Sequence, residues 1–270
     1  MIVLKIGGDI FRSGLSENLA KDIKRVIETK GEEIVIVHGG GDEVTEVAEK
    51  LGKKQIFVTS PEGIRSRYTD KETIEIYTMV MAGKINKAIV KWLIGVGLPA
   101  VGLSGVDGSL LVAKRKKKLI TVDEKGKKRV IDGGFTGKIS RVNPRLLKIL
   151  LENGYLPVIS PIAIGEDNEY LNVDSDRASG QIAGALRAEK IIFLTDVPGI
   201  KISEEYLKRI SLREAKDLLP KIGPGMNMKV IASIEAIEAG AKEAIIACGL
   251  VQDPVTSALN KLNGTVIVTE

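Results

Sequence analysis

An α/β sandwich, with a mostly parallel central sheet between two helical layers, is the fold class predicted by three observations. Short apolar runs suit strands over 2–6, 34–37, 98–103, 156–159, 191–194, 244–247 and 265–268. Amphipathic stretches suit helices over 16–29, 42–51, 71–95, 144–153, 175–187, 211–219 and 226–239. The two kinds of segment alternate almost throughout, and strand–helix alternation requires crossovers that lay helices on both faces of a parallel sheet.

The first strand carries the chain's most informative residue. Lys5 is one charge in the apolar run MIVLKIGG and stands immediately before Gly7 and Gly8. In open α/β sheets, ligands gather beyond the carboxyl ends of strands, where glycines let backbone N–H groups approach an anion. The second strand repeats the device, since Ile34-Val35-Ile36-Val37 runs into His38-Gly39-Gly40-Gly41 and a helical stretch. Two glycine turns could therefore grip two ends of one ligand. Neither the phosphate-loop pattern GxxxxGK[ST] nor the dinucleotide pattern GxGxxG is present, so a lysine arriving before the glycines is a different device.

Bulk properties narrow the class. With 270 residues, 44% apolar and 4% aromatic, the chain can bury a large core of aliphatic residues. The single cysteine, Cys248, excludes an internal disulfide, and one histidine leaves no His/Cys cluster for zinc. A reducing, cytoplasmic location is expected. The longest apolar stretch, 92–106, is broken by Gly95, Gly97 and Pro99 and falls short of the roughly 20 residues that span a bilayer, so no membrane segment is expected.

Charge is concentrated in one place. The segment that opens at Lys114 and closes at Arg129 (KRKKKLITVDEKGKKR) holds nine basic and two acidic residues. That is a local +7 against a whole-chain +5, so the remainder is net −2. Its pattern suggests two short strands around a turn at Asp123-Glu124-Lys125-Gly126, a hairpin that projects from the body. Such a patch is either a solvated charge run or a docking surface for an acidic partner. No aromatic residue interleaves it to stack on bases, which argues against nucleic acid.

Polar residues that could carry chemistry cluster at strand-to-helix junctions. They are Lys5, Arg65 and Arg67 in GIRSRYTD, Asn172, Asp174 and Asp176 in NVDSDRASG, Thr195 and Asp196 in LTDVPGI, and Lys229 in GPGMNMK. Taken singly, Asp176 fits a first-turn residue that complements the helix dipole, and Lys229 a surface lysine. No Ser/His or Cys/His pair for nucleophilic catalysis is seen.

In order along the chain, KIGG, VHGGG, RYTD, GLSGVDG, NVDSDRASG, LTDVPGI and GMNMK resemble the amino acid kinase family in its N-acetylglutamate kinase branch. The resemblance covers essentially the whole chain. It implies a three-layer αβα sandwich with an acceptor lobe over 1–170 and an ATP lobe over 171–270 on one continuous sheet, a boundary falling near the polar stretch GEDNEY. It also implies transfer of a phosphoryl group from ATP, accompanied by Mg²⁺, to a side-chain carboxylate. By similarity, Lys5 would stabilise the transferred group, Lys229 the leaving phosphate, and Asp176 would hold both lysines, aided by backbone N–H groups of Gly7, Gly8 and Gly40. Gly40 and Gly41 would hold the acceptor carboxylate, Arg67 the amino acid's other carboxylate, and Asn172 its amide-bearing end. Thr195, Asp196 and Gly199 would border the nucleotide. A homodimer is the family's expectation.

Two departures point within the family. Ordinary N-acetylglutamate kinases read GLR followed directly by a hydrophobic residue and Thr, whereas this chain reads Gly63-Ile64-Arg65-Ser66-Arg67-Tyr68-Thr69, as though lengthened by two. The basic segment is the second departure. Both resemble the carrier-protein branch, the [LysW]-aminoadipate/[LysW]-glutamate kinases of lysine and arginine biosynthesis, whose acceptor is attached through its amino group to the C-terminal glutamate of a small acidic carrier protein. A +7 patch gives such a carrier something to dock on. The alternatives are a kinase of free N-acetylglutamate and, from a different class, a non-catalytic nucleotide or effector sensor of the same fold.

Overall fold

The structure is a computed structural model that describes residues 1–123 and 126–270. Its centre is an eight-stranded sheet in the order Arg209–Ser211, Thr265–Val268, Glu243–Cys248, Lys190–Thr195, Ile2–Ile6, Ile34–His38, Leu156–Ser160, Ala100–Ser104. Every neighbouring pair is parallel except Glu243–Cys248 with Thr265–Val268. The mostly parallel sandwich expected from the alternation is the fold observed. All seven predicted strands lie in this sheet, most within a residue or two of their expected ends.

Strand period two decides what each side chain meets. Along the first strand Ile2, Leu4 and Ile6 join one core with Leu19, Ile23 and Val26 of the helix Glu17–Lys30. Val3 joins the other core with Ala178 and Ile182 of the helix Ser175–Leu186 and with Val230 and Ile234 of the helix Met226–Glu238. Lys5 shares the face of Val3. The same alternation that buries the strand thus aims its one charge at these two helices.

The first strand is also the point where chain order reverses, since Ile34–His38 lies on one side and Lys190–Thr195 on the other. A crevice opens beyond the carboxyl ends of strands at such a switch point. The sequence places Gly7 and Gly8 there.

Elements outside the sheet were less visible in the sequence. A second sheet, in the order Tyr170–Asn172, Ile162–Gly165, Leu111–Arg115, Gly137–Val142, is built from short strands, most carrying polar residues. The stretch GEDNEY is the turn between two of its antiparallel strands, and the large sheet runs unbroken through strands from both halves of the chain. The expected single helix over 71–95 is a continuous helical rod with a π segment, Met79–Ile85, between Lys71–Thr78 and Asn86–Ile94. Asn143 accepts from Arg145 N at 3.3 Å, while Pro144 itself occupies the cap position. The basic hairpin forms as expected, with Lys118–Val122 antiparallel to Lys128–Asp132. Part of its predicted turn, Glu124 and Lys125, lies outside the described residues. No helix among the described residues is long and apolar enough to cross a membrane.

One buried carboxylate ties the two ends of the chain together. Asp22, fully buried on the helix Glu17–Lys30, accepts from Val255 N at 2.7 Å, from Thr256 N at 3.0 Å and from the Thr256 hydroxyl. It caps the helix Pro254–Leu259 from a distance, because Asp253 at the cap position makes no side-chain bond to it. Asp22→Ala would leave one buried and one part-buried N–H group without an acceptor and should cost about 3 kcal/mol. Urea unfolding should show a lower midpoint with an unchanged slope, and a midpoint equal to wild type would show that the cap contributes nothing.

Candidate active site

Two ammonium groups far apart in sequence converge on one carboxylate. Lys5 Nζ lies 2.7 Å from Asp176 Oδ1, and Lys229 Nζ lies 3.3 Å from Asp176 Oδ2. The Lys229 contact is an aligned hydrogen bond. The Lys5 contact is a close ion pair off the hydrogen-bonding axis, because Oδ1 has no aligned donor. Lys5 and Asp176 are 4% and 5% exposed. Burial pushes the Asp176 carboxyl up, but the Lys5 and Lys229 charges together outweigh it and hold the group below the usual carboxylate range. Asp176 is therefore ionised, and the three side chains sum to one positive charge.

Close helix packing makes the convergence possible. A Cβ on Gly180 would stand 2.6 Å from the Ala232 carbonyl oxygen, and one on Gly184 would overlap Ala239. Small residues thus let the helices carrying Asp176 and Lys229 approach closely. Asp174 caps the first of them, accepting from Arg177 N at 2.9 Å. Its side chain opens to solvent, yet the surrounding protein and then the Asp176 charge push its carboxyl up.

The two glycine turns stand back to back around the Lys5 ammonium. A Cβ on Gly8 would lie 3.2 Å from Gly40 N, and one on Gly39 would lie 3.4 Å from Ser175 Oγ and 3.6 Å from Lys5 Nζ. Gly40 has φ +146°, and a side chain there would overlap Ile85 of the π segment. Only glycine satisfies both constraints.

Gly40, Gly41, Arg67 and Asn172 all line one 870 Å³ cavity beside this constellation. Arg67, 8% exposed, donates through Nη2 to Gly41 O at 2.6 Å and Thr45 Oγ1 at 2.9 Å, through Nη1 to Gln55, and stacks over Phe57 with its guanidinium carbon 4.9 Å from the ring centre. Asn172 Nδ2 donates to Thr69 Oγ1 at 3.0 Å, and Thr69 in turn donates to Arg67 O at 3.2 Å, which ties the two walls together. The remaining motif residues lie elsewhere. Thr195, with its hydroxyl donating to Asp196 Oδ1 at 3.1 Å, ends the strand Lys190–Thr195, while Gly199 is buried at φ +154° with no room for a side chain beside Thr265. These three do not line the cavity.

Ser175 and Arg177, both within the NVDSDRASG motif, join the cavity wall. Tyr77 and Phe57 join it too, and nothing in their local sequence marks them. Ile56–Thr59 and Arg65–Tyr68 pair antiparallel as a second hairpin, and it touches the basic one: Ile56–Thr59 packs beside Lys118–Val122, and both line the cavity.

His38 braces the second glycine turn. Its Nδ1 donates to Gly39 O at 3.0 Å, and its Nε2 accepts from Asn86 Nδ2 at 3.3 Å. Asn86, fully buried, also donates to Val158 O at 2.9 Å. Burial pushes the imidazole down to about 4, so the ring is neutral. Because folding lowers this pKa from 6.5, the ring's contribution to stability is complete above that value and is lost as pH falls toward about 4. His38 is the chain's single histidine, so one imidazole proton resonance should titrate near pH 4 in the folded protein. Titration near the ordinary value would contradict this buried, bridged ring.

Comparison with known proteins gives the family and the fold. The amino acid kinase family matches residues 1–248. A relative from Nitrosopumilus maritimus is 52% identical over 270 residues, covering 100% of both chains. The [LysW]-aminoadipate/[LysW]-glutamate kinase of Saccharolobus solfataricus is 45% identical over 268 residues, 99% of each chain, and that of Metallosphaera sedula is 47% identical over 260 residues, 96% of this chain and 97% of its own. Among solved structures, N-acetylglutamate synthase from Neisseria gonorrhoeae, complexed with coenzyme A and N-acetylglutamate, superposes with TM-score 0.80 at 24% identity, over 100% of this chain and 59% of the synthase. Carbamate kinase from Giardia lamblia bound to AMP-PNP gives TM-score 0.70 at 19% identity, over 99% of this chain and 98% of that one. These two show the shared fold. With the family matched over nearly its whole length, the chain belongs to the amino acid kinase family.

Proposed function

We propose that this chain is an ATP-dependent kinase that phosphorylates the side-chain carboxylate of aminoadipate or glutamate carried in amide linkage on a small acidic protein, giving an acyl phosphate for lysine or arginine biosynthesis. The observation that carries the reading is the Lys5–Asp176–Lys229 constellation at the sheet's switch point. A carboxylate that approaches a polyanionic triphosphate meets charge repulsion, and catalysis of such a transfer is positioning plus fixed positive charge. Two ammonium groups, one buried and one largely so, held by one carboxylate supply a net +1 without reorganisation. In this reading Lys5 faces the migrating phosphoryl group and Lys229 the leaving side.

The rest of the site fits the two substrates. ATP supplies the phosphoryl group, with Mg²⁺ arriving on its phosphates. Backbone N–H groups of Gly8 and Gly40 are free of Cβ hindrance and suit phosphate oxygens. The cavity that holds Gly40, Gly41, Arg67 and Asn172 suits an amino acid, with Arg67 toward its second carboxylate and Asn172 toward its amide. Thr195, Asp196 and Gly199, at a neighbouring strand end, suit the nucleotide's base and ribose. This assigns residues 1–170 to the acceptor lobe and 171–270 to the ATP lobe. A cytoplasmic homodimer is the working form.

Two observations favour a carrier-linked acceptor over a free one. The relatives named above are, by their names, kinases of [LysW]-aminoadipate and [LysW]-glutamate. The basic hairpin flanks the acceptor cavity and is not remote from it, so an acidic carrier docked there would deliver its end to the site.

An ADP-release assay should show turnover with carrier-linked glutamate or aminoadipate and little with N-acetylglutamate. The reverse preference would establish a kinase of the free substrate, and no turnover with any acceptor would favour a sensor. Lys5→Ala and Lys229→Ala should each lower kcat by about 10² to 10³ with folding intact, the scale for one preorganised charged donor. Unchanged turnover in either variant would remove that lysine from the role.

A further inference from the structure

Lys116 stands apart from the lysines around it. Lys114, Lys117 and Lys118 are exposed, whereas Lys116 is half-buried and lines the acceptor cavity. Its backbone is fixed: Lys116 N donates to Thr136 O at 2.8 Å, Gly133 N donates to Lys117 O at 3.1 Å, and a Cβ on Gly133 would overlap the Lys116 carbonyl. A side chain on so rigid a base can make a defined contact, which a mobile surface lysine cannot.

Carboxylates line the cavity around Lys116, Asp174 and Glu235 among them, but none is paired with it. It makes no ion pair among the described residues. Lys138 and Arg177 line the same cavity, and Arg177 is already neutralised by Glu235, with Nε donating to Oε2 at 3.1 Å. Burial, and then the Arg177 and Lys138 charges, pull the Lys116 ammonium below its ordinary value, with Asp174 opposing them. Half-buried positive charge of this kind is relieved by a bound anion.

Position says which anion. Thr136, whose carbonyl receives the Lys116 N–H, pairs in turn with Asn172. Lys116 therefore stands two backbone rungs, roughly 10 Å, from the residue assigned to the acceptor's amide. Glutamate has two carboxyl groups. When one of them forms the amide that carries the acceptor, the other stays free, whichever one is used. A carrier-linked acceptor thus presents a carboxylate a few bonds beyond its amide, where an acetylated one presents only a methyl group.

Resting on the function proposed above, we propose that Lys116 binds the free carboxylate of the carrier's terminal glutamate, with Lys138 adding positive potential, and so selects carrier-linked acceptors over acetylated ones. This is a local contact, distinct from long-range steering by the exposed lysines.

Two small acceptors isolate the contact. N-glutarylglutamate and N-pentanoylglutamate have acyl chains of equal length, and only the first ends in a carboxylate. The wild-type protein should prefer the glutaryl compound by about tenfold in kcat/KM, the scale of one charge-assisted hydrogen bond. Lys116→Gln should erase that preference through KM, and Lys116→Arg should retain most of it. With the carrier-linked substrate, Lys116→Gln should raise KM about tenfold, and the defect should persist at about 0.5 M salt, where surface charges are screened. The double variant Lys117→Glu, Lys118→Glu should lose its own defect under the same salt. A wild-type protein indifferent to the acyl carboxylate overturns the inference, as does a Lys116→Gln defect that is absent or vanishes with salt, and either leaves the kinase reading intact. Failure of that reading looks different: turnover of N-acetylglutamate without turnover of the carrier-linked substrate.

Discussion

The ion triad of Asp176 with Lys5 and Lys229 is the constraint on which the rest of the molecule depends. Three charged groups taken largely out of water carry a desolvation cost that mutual attraction only offsets when the geometry is good. Good geometry here is inherited from the fold. Strand alternation turns Lys5 toward the face of Val3, and Gly180 and Gly184 let the two helices on that face come close enough for Asp176 and Lys229 to meet. Without the carboxylate, two ammonium groups would be held near each other with nothing between them. With it, they are fixed and still leave one positive charge unspent, which is the state a phosphoryl transfer site needs before its substrate arrives.

The glycine turns complete that state by geometry alone. Gly8 and Gly40 are in contact, and Gly39 stands beside both Lys5 and Ser175, so N–H groups from two different strand ends share one small volume. His38 and Asn86 hold the second turn from behind with neutral hydrogen bonds. A protonated ring there would add positive charge and lose its acceptor role toward Asn86. Burial prevents that, so the brace does not change with pH across the neutral range.

How much of this was legible depended on whether the determining signal was local. The central strands were legible because burial on both faces demands unbroken apolar runs, and Lys5 was conspicuous because it interrupts one. The second sheet was not, because its strands are short, most carry polar residues, and their pairing partners lie far away in sequence. The π segment Met79–Ile85 was invisible for a related reason: its apolar pattern reads as ordinary helix, and only the structure shows the rod wound differently where Ile85 packs against Gly40. Asp176 and Lys229 carry no local mark at all. Their pairing is a property of two helices crossing one sheet, and only an ordered set of motifs along the whole chain pointed to them.

The basic segment shows the same division at finer grain. Charge counting treats Lys114, Lys116, Lys117 and Lys118 as equivalent, and for long-range attraction they are, since a field several ångströms away depends on their sum. Contact chemistry separates them. The close approach of Gly133 to the Lys116 carbonyl pins one lysine at the cavity wall and leaves its neighbours in solvent. One stretch of sequence therefore presents two electrostatic devices, a screened and diffuse one outside and a fixed one inside. Only the inner one can distinguish acceptors that differ by a single carboxylate, because discrimination requires a charge whose position is known to within a hydrogen bond.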